Sequence, residues 1–173
     1  AEHLSRHGVG FDGPTQRFDE EVFSFLDPDG MRVELVFTEG VETRSSWAGA
    51  SIPREYAIRG FAGVTLWLAH SESTARLLVE VMGFCLVETR GPKTRYGIGA
   101  GPDRVAIDLV TEPTMPSARQ SAGSVHHIAW RVASDEGQHA WRQTIAHNNL
   151  QVTDVLDRNY FQSIYFREPG GVL

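Results

Sequence analysis

The chain has 173 residues, 41% hydrophobic and 22% charged, the composition of a folded globular protein with room for one or two small domains. Its formal net charge is -6 with Lys and Arg scattered along the chain, which argues against a nucleic-acid partner, because a phosphate-binding surface needs a basic patch. No apolar run approaches the ~20 residues that span a bilayer, so no membrane role is expected.

The start, Ala1-Glu2-His3-Leu4, lacks the basic-then-apolar pattern of a signal peptide. Cys85 is the single cysteine, so neither an internal disulfide nor a thiolate metal cluster can form, and a cytoplasmic location fits. Its setting, Phe84-Cys85-Leu86-Val87, reads as core packing.

In chain order, the first residues read as the tail of a helix, followed by strands at about 8–12, 21–26 and 31–37. A stretch rich in Gly, Ser and Pro, residues 40–58, reads as a linker. A strand at about 61–68 leads to a helix capped by Ser71 or Ser73, carrying Ala75, Leu77, Leu78, Val81 and Met82 and stopped by Gly83. Strands at about 84–89, 94–98 and 104–110 follow, and then a second linker, 113–123. The last stretch reads as a strand near 125–132, a helix capped by Ser134 or Asp135, strands near 151–156 and 161–167, and a further strand begun at Val172.

The pattern repeats. Phe25-Leu26-Asp27-Pro28-Asp29-Gly30-Met31 matches Phe166-Arg167-Glu168-Pro169-Gly170-Gly171-Val172, an aromatic strand end running into acid-Pro-x-Gly and then an apolar strand. Gly60–Leu68 likewise matches Ser124–Val132, with Gly63 opposite His127. The fold class is therefore α+β, built of repeated βαβββ modules with mixed curled sheets. Residues 1–39 form the trailing part of one module, 59–112 a second, and 124–173 a third that stops within its last strand.

His126-His127 is the pair most suggestive of chemistry. Neighbours on a strand point to opposite faces, so one of them is expected to face a given cavity. Neutral imidazole is a common metal ligand, and an adjacent His can act as acid/base or orient the ligand. In the first copy Glu34 lies nine residues after Phe25, and the matching place after Phe166 falls two residues beyond Leu173. One His and one carboxylate make two-thirds of the facial triad that holds non-haem Fe(II). Glu34 itself faces a module without the His and reads as structural. Arg158 is a candidate anion stabiliser, and Tyr160 and Tyr165 are candidate donors or general acids. His3, His7, His70, His139 and His147 read as exposed and without a role, and Trp130 and Trp141 as packing residues.

Residues 124–132 and 158–173, with Trp47-Ala48-Gly49-Ala50 and Ala57-Ile58-Arg59-Gly60-Phe61, resemble the vicinal oxygen chelate superfamily of glyoxalases, bleomycin-resistance proteins and extradiol dioxygenases. Within it, the chain is most similar to the dioxygenases that cleave hydroquinone and chlorohydroquinone rings. The resemblance implies four modules and Fe(II) held by two His and one Glu, the second His being His127, with His126 and Arg158 near the substrate. It also implies a small aromatic substrate and O2 as partners, and a homodimer is a fair expectation. Mn, Zn or Ni are the alternative metals, and a glyoxalase-type lyase or isomerase or a non-catalytic aromatic-binding protein the alternative functions. Against this pattern the first module and the terminal Glu lie outside the chain, which as given holds one of three ligands and is not expected to be active alone.

Overall fold

The computed structural model describes residues 1–37, 45–46, 49, 52–100, 104–116 and 121–173. Much of both expected linkers, and Trp47, Ala48 and Ala50, lie outside the described residues.

A short helix α1 (Glu2–Arg6) precedes an antiparallel sheet of β1 (Phe11–Arg17), β2 (Glu20–Leu26) and β3 (Arg32–Phe37), in the order β1-β2-β3. The first strand runs further than its sequence suggests, because Phe11-Asp12-Gly13-Pro14-Thr15-Gln16-Arg17 has no apolar alternation and is held by pairing with β2. A register shift between Asp12 and Thr15 contains Gly13, where φ is +117° and a Cβ would lie 2.6 Å from the Val22 carbonyl oxygen. Glycine is the residue that such a bulge accepts. Phe11, Phe23 and Phe37 stack along one face, with ring centroids 5.7 and 5.6 Å apart. By strand alternation Glu20, Val22 and Ser24 occupy the other.

The middle unit is a complete βαβββ module. β4 (Gly63–Leu68) leads to α2 (Glu72–Arg76), which continues as a π-helical turn over Leu77–Val81. β5 (Cys85–Arg90), β6 (Lys93–Ile98) and β7 (Val105–Thr111) then complete a sheet ordered β4-β7-β6-β5, in which only the β4–β7 pair is parallel. Leu66, Leu68, Leu78, Phe84, Tyr96, Ile107 and Leu109 form the core between sheet and helix. Burial raises the pKa of the Tyr96 phenol above its ordinary value. Gly83, with φ +78°, ends the helical segment as expected. Ser71 precedes the helix, but its hydroxyl lies 2.6 Å from that of Thr111 and does not cap.

Cys85 corrects the reading made from its apolar neighbours: it is exposed, on the edge strand. Leu86 and Val87 beside it are also exposed, at 60% and 42%. Leu109 is 1% exposed at the centre of the core. Leu109→Ala is expected to cost about 2–5 kcal/mol in a urea titration followed by circular dichroism, from lost burial and the cavity left behind.

In the last unit α3 (Asp135–His147) is capped by Ser134, whose hydroxyl accepts from the Gly137 N–H at 3.2 Å, and buries Ile145. β8 (Leu156–Asp157) and β9 (Gln162–Ser163) form a short ladder, extended by one bridge between Val152 and Phe166. The expected strands of this unit are thus shorter or absent, and 125–132 forms no ladder among the described residues. The Ile128 N–H donates to the Leu173 carbonyl at 3.0 Å.

Ile128, Trp130 and Val172 nevertheless pack on the middle core, with Trp130 5.6 Å edge-on from Phe84. The repeated acid-Pro-x-Gly turns share one device. Asp27 accepts from the N–H groups of Asp29 and Met31 at 2.9 and 2.8 Å. Glu168 accepts from those of Gly170 and Val172, both at 2.8 Å, and also from the Thr74 hydroxyl of α2. The acid therefore closes the turn from within, and in the last unit it also docks the turn on the middle helix.

Candidate functional site

His126, His127, Arg158 and Tyr165 meet at one place in the last unit. The two imidazole Nδ1 atoms are 2.9 Å apart, with the rings perpendicular. They do not point to opposite faces as strand neighbours should, because 125–132 lacks the ladder that imposes that alternation. The His127 ring meets Tyr165 edge-on with centroids 6.0 Å apart, and the Arg158 guanidinium carbon lies 5.3 Å from the centre of the same ring. Tyr165 thus stands between a histidine and a cation.

Both histidines and Arg158 are exposed and Tyr165 is half-buried. Tyr160 is 95% exposed and the structure does not bring its ring into this group. The turn that holds Arg158 is closed by its own N–H donating to the Phe161 carbonyl at 2.9 Å, with Asn159 at φ +68° and its N–H bonded to the Asp157 carboxylate. His3, His7, His70, His139 and His147 are exposed, as expected. Trp141 is half-buried on α3.

The strand registers turn the repeat into a spatial correspondence. Across β2–β3 Ser24 pairs with Glu34, and across β6–β7 Arg95 pairs with Asp108. With Phe25 matched to Phe166, Tyr165 takes the place of Ser24 and Arg95. The Ile128 N–H bond to Leu173 matches the β4–β7 register in which Val64 pairs with Ile107, so Leu173 takes the place of Ala106.

A second group, which the sequence did not single out, lies where the first sheet meets the middle one. Arg95, 5% exposed, donates to both carboxylate oxygens of Asp108, at 2.7 and 2.9 Å, and to Glu20 at 2.8 Å. Its guanidinium carbon lies 4.5 Å from the centre of the Phe18 ring. Arg17 bonds Glu34, lies 3.4 Å from Glu20, and has its Nε 3.6 Å from Asp108. Desolvation pulls the Arg95 pKa down, but the hydrogen bonds and charges of Asp108 and Glu20 overcome it and hold the guanidinium above its ordinary value. Glu34 is held in this group by Arg17. Asp108 carried a signal, since it interrupts the apolar run Val105-Ala106-Ile107 and Leu109-Val110. An open cleft of about 310 Å³ adjoins the group, lined among others by Arg17, Glu34, Arg90 and Lys93.

Among the described residues no three His, Cys, Asp or Glu side chains converge as a metal site. Among them, too, no helix is long and apolar enough to cross a membrane.

Residues 60–173 match the model of the Glyoxalase/Bleomycin resistance protein/Dioxygenase superfamily. The chain is 41% identical over 158 residues to "Putative ring-cleaving dioxygenase MhqO" of Bacillus subtilis (strain 168), covering 91% of this chain and 50% of that protein. It is 31% identical to "Chlorohydroquinone/hydroquinone 1,2-dioxygenase" of Sphingobium indicum, covering 99% of this chain and 55% of that protein. A crystal structure of a "putative dioxygenase" from Bacillus subtilis superposes with a TM-score of 0.86 at 37% identity, over 99% of this chain and 54% of that one. The chain thus spans about half the length of the curated relatives it matches.

Proposed function

The chain belongs to the glyoxalase, bleomycin resistance protein and dioxygenase superfamily, and on that premise we propose that it forms part of a ring-cleaving dioxygenase, opening hydroquinone-like aromatic compounds with O2 at a non-haem Fe(II) held in part by His127. One observation carries the reading: two segments far apart in sequence bring His127, His126, Tyr165 and Arg158 together in the last module.

His127 Nδ1 is engaged by His126, which leaves Nε2 as the ligand atom. Its Nδ1–H then donates to His126 Nδ1, and this bond sets the tautomer and holds the ring's orientation. The remaining ligands would come from outside the described residues. Fe(II) held in part by His127 would supply a common centre for an ionised phenol and O2. The chain's own groups act around that centre. Arg158 stabilises the negative charge of the phenolate oxygen, Tyr165 donates or accepts a proton at its hydroxyl, and His126 is the neighbouring acid/base. Tyr160, exposed and outside this group, is a further proton-donor candidate.

The test is oxygen consumption and metal content in the full natural chain carrying this sequence. The expected result is bound iron, with hydroquinone and O2 consumed one for one and both oxygen atoms recovered in a ring-opened product. Turnover on Zn, Ni or Mn without oxygen uptake would assign a glyoxalase-type lyase or isomerase instead, and tight aromatic binding without turnover a sequestering protein.

A further inference from the structure

We propose that the ion group between the first sheet and the middle module occupies this repeat's metal position, with the Arg95 guanidinium in the cation's place, so that this pair of modules binds no divalent metal. The inference rests on the repeat and its registers and not on which reaction the His127 site performs.

The correspondence is residue by residue. Asp108 and Glu34 hold the carboxylate place of their modules, each across a strand pair from the Tyr165-equivalent position. In the middle module that position carries Arg95, whose fork bonds Asp108 on its own sheet and Glu20 on the first. Positive charge thus sits between carboxylates of two modules, as a bridging cation would, and the planar fork satisfies them directionally. The histidine place is closed as well. Gly63 stands where His127 stands, and a Cβ there would lie 2.5 Å from the Ala106 carbonyl oxygen and 3.3 Å from its Cβ. No side chain, let alone an imidazole, fits without moving β4 from β7. Phe18, beneath the Arg95 guanidinium, closes the group from the first sheet. The residues present therefore do not suit a metal here.

The experiment uses the full natural chain with His127→Ala, which weakens the other centre. Mn2+ is the probe, since carboxylate sites favour hard cations. The urea midpoint is expected to be the same in EDTA and in excess Mn2+, and any residual Mn2+ binding measured by calorimetry is expected to survive Asp108→Asn. Arg95→Ser, which copies Ser24 of the first sheet, is expected to add one saturable Mn2+ site that Asp108→Asn abolishes, while Arg95→Lys adds none. A folded Arg95→Ser protein without that site would overturn the proposal. So would a Mn2+-dependent stabilisation of the protein with Arg95 intact that Asp108→Asn removes, a measurement that decides the matter even where Arg95→Ser does not fold.

Discussion

Replacing Arg95 with methionine is expected to lower the unfolding free energy by about 3–5 kcal/mol, the usual consequence of removing one partner of a buried ion pair. The magnitude follows from what is left behind. Methionine roughly fills the volume and keeps the contact with Phe18, so the loss is electrostatic rather than a cavity. The Asp108 carboxylate, in a residue 3% exposed, would keep only the Nε of Arg17 at 3.6 Å, and Glu20 only Arg17 at 3.4 Å. Among the described residues three carboxylates, those of Asp108, Glu20 and Glu34, would then share the single Arg17 guanidinium. Adding Asp108→Asn to Arg95→Met is expected to recover a large part of the loss, because the remaining cost is that of an unpaired charge and not of a missing attraction. Urea titration with a two-state fit measures both. A loss below about 1 kcal/mol would mean that the group behaves as a solvated surface cluster.

His127→Ala in the full natural chain is expected to remove iron from the purified protein and to lower turnover by more than ~100-fold. That exceeds the 10–100-fold that loss of a partner orienting a metal ligand brings, which is the range expected for His126→Ala. The two variants should also differ in kind. Without His127 a ligand atom is gone, and excess iron in the assay restores little. Without His126 the ligand remains but its ring and tautomer are unfixed, and excess iron restores occupancy while the rate stays low. Neither side chain is buried, so neither change should move the urea midpoint by more than about 0.5 kcal/mol. Unchanged iron content and turnover in His127→Ala would end the assignment.

Local pattern made the modules legible. The acid-Pro-x-Gly turns could be read because Asp27 and Glu168 bond only to their own turn and to nearby backbone, apart from one reach to Thr74. Ile107 and Leu109 lie in the core together with Ala106, Asp108 and Val110, because β7 is covered on both faces, and such a strand carries no simple apolar–polar alternation. Cys85 was misread because apolar neighbours say nothing about whether a strand lies at the edge of its sheet. The ladder expected at 125–132 is absent among the described residues, where Ile128 N–H donates to the Leu173 carbonyl.

The sequence pointed to the repeat, the α+β class and the acid-Pro-x-Gly turns through spacing along the chain, and, together with the family resemblance, to His126, His127, Arg158, Tyr160 and Tyr165 as candidate site residues. The tertiary structure alone decided which of them meet. It set Tyr165 rather than Tyr160 beside His127 and Arg158, and it drew Arg17, Glu20, Glu34, Arg95 and Asp108 into one ion group across two sheets. Contacts between groups 75 residues apart, as for Arg95 and Glu20, leave no periodic mark on a sequence. They arise from how whole sheets pack, and charge at such a seam becomes visible only when the water between the sheets is gone.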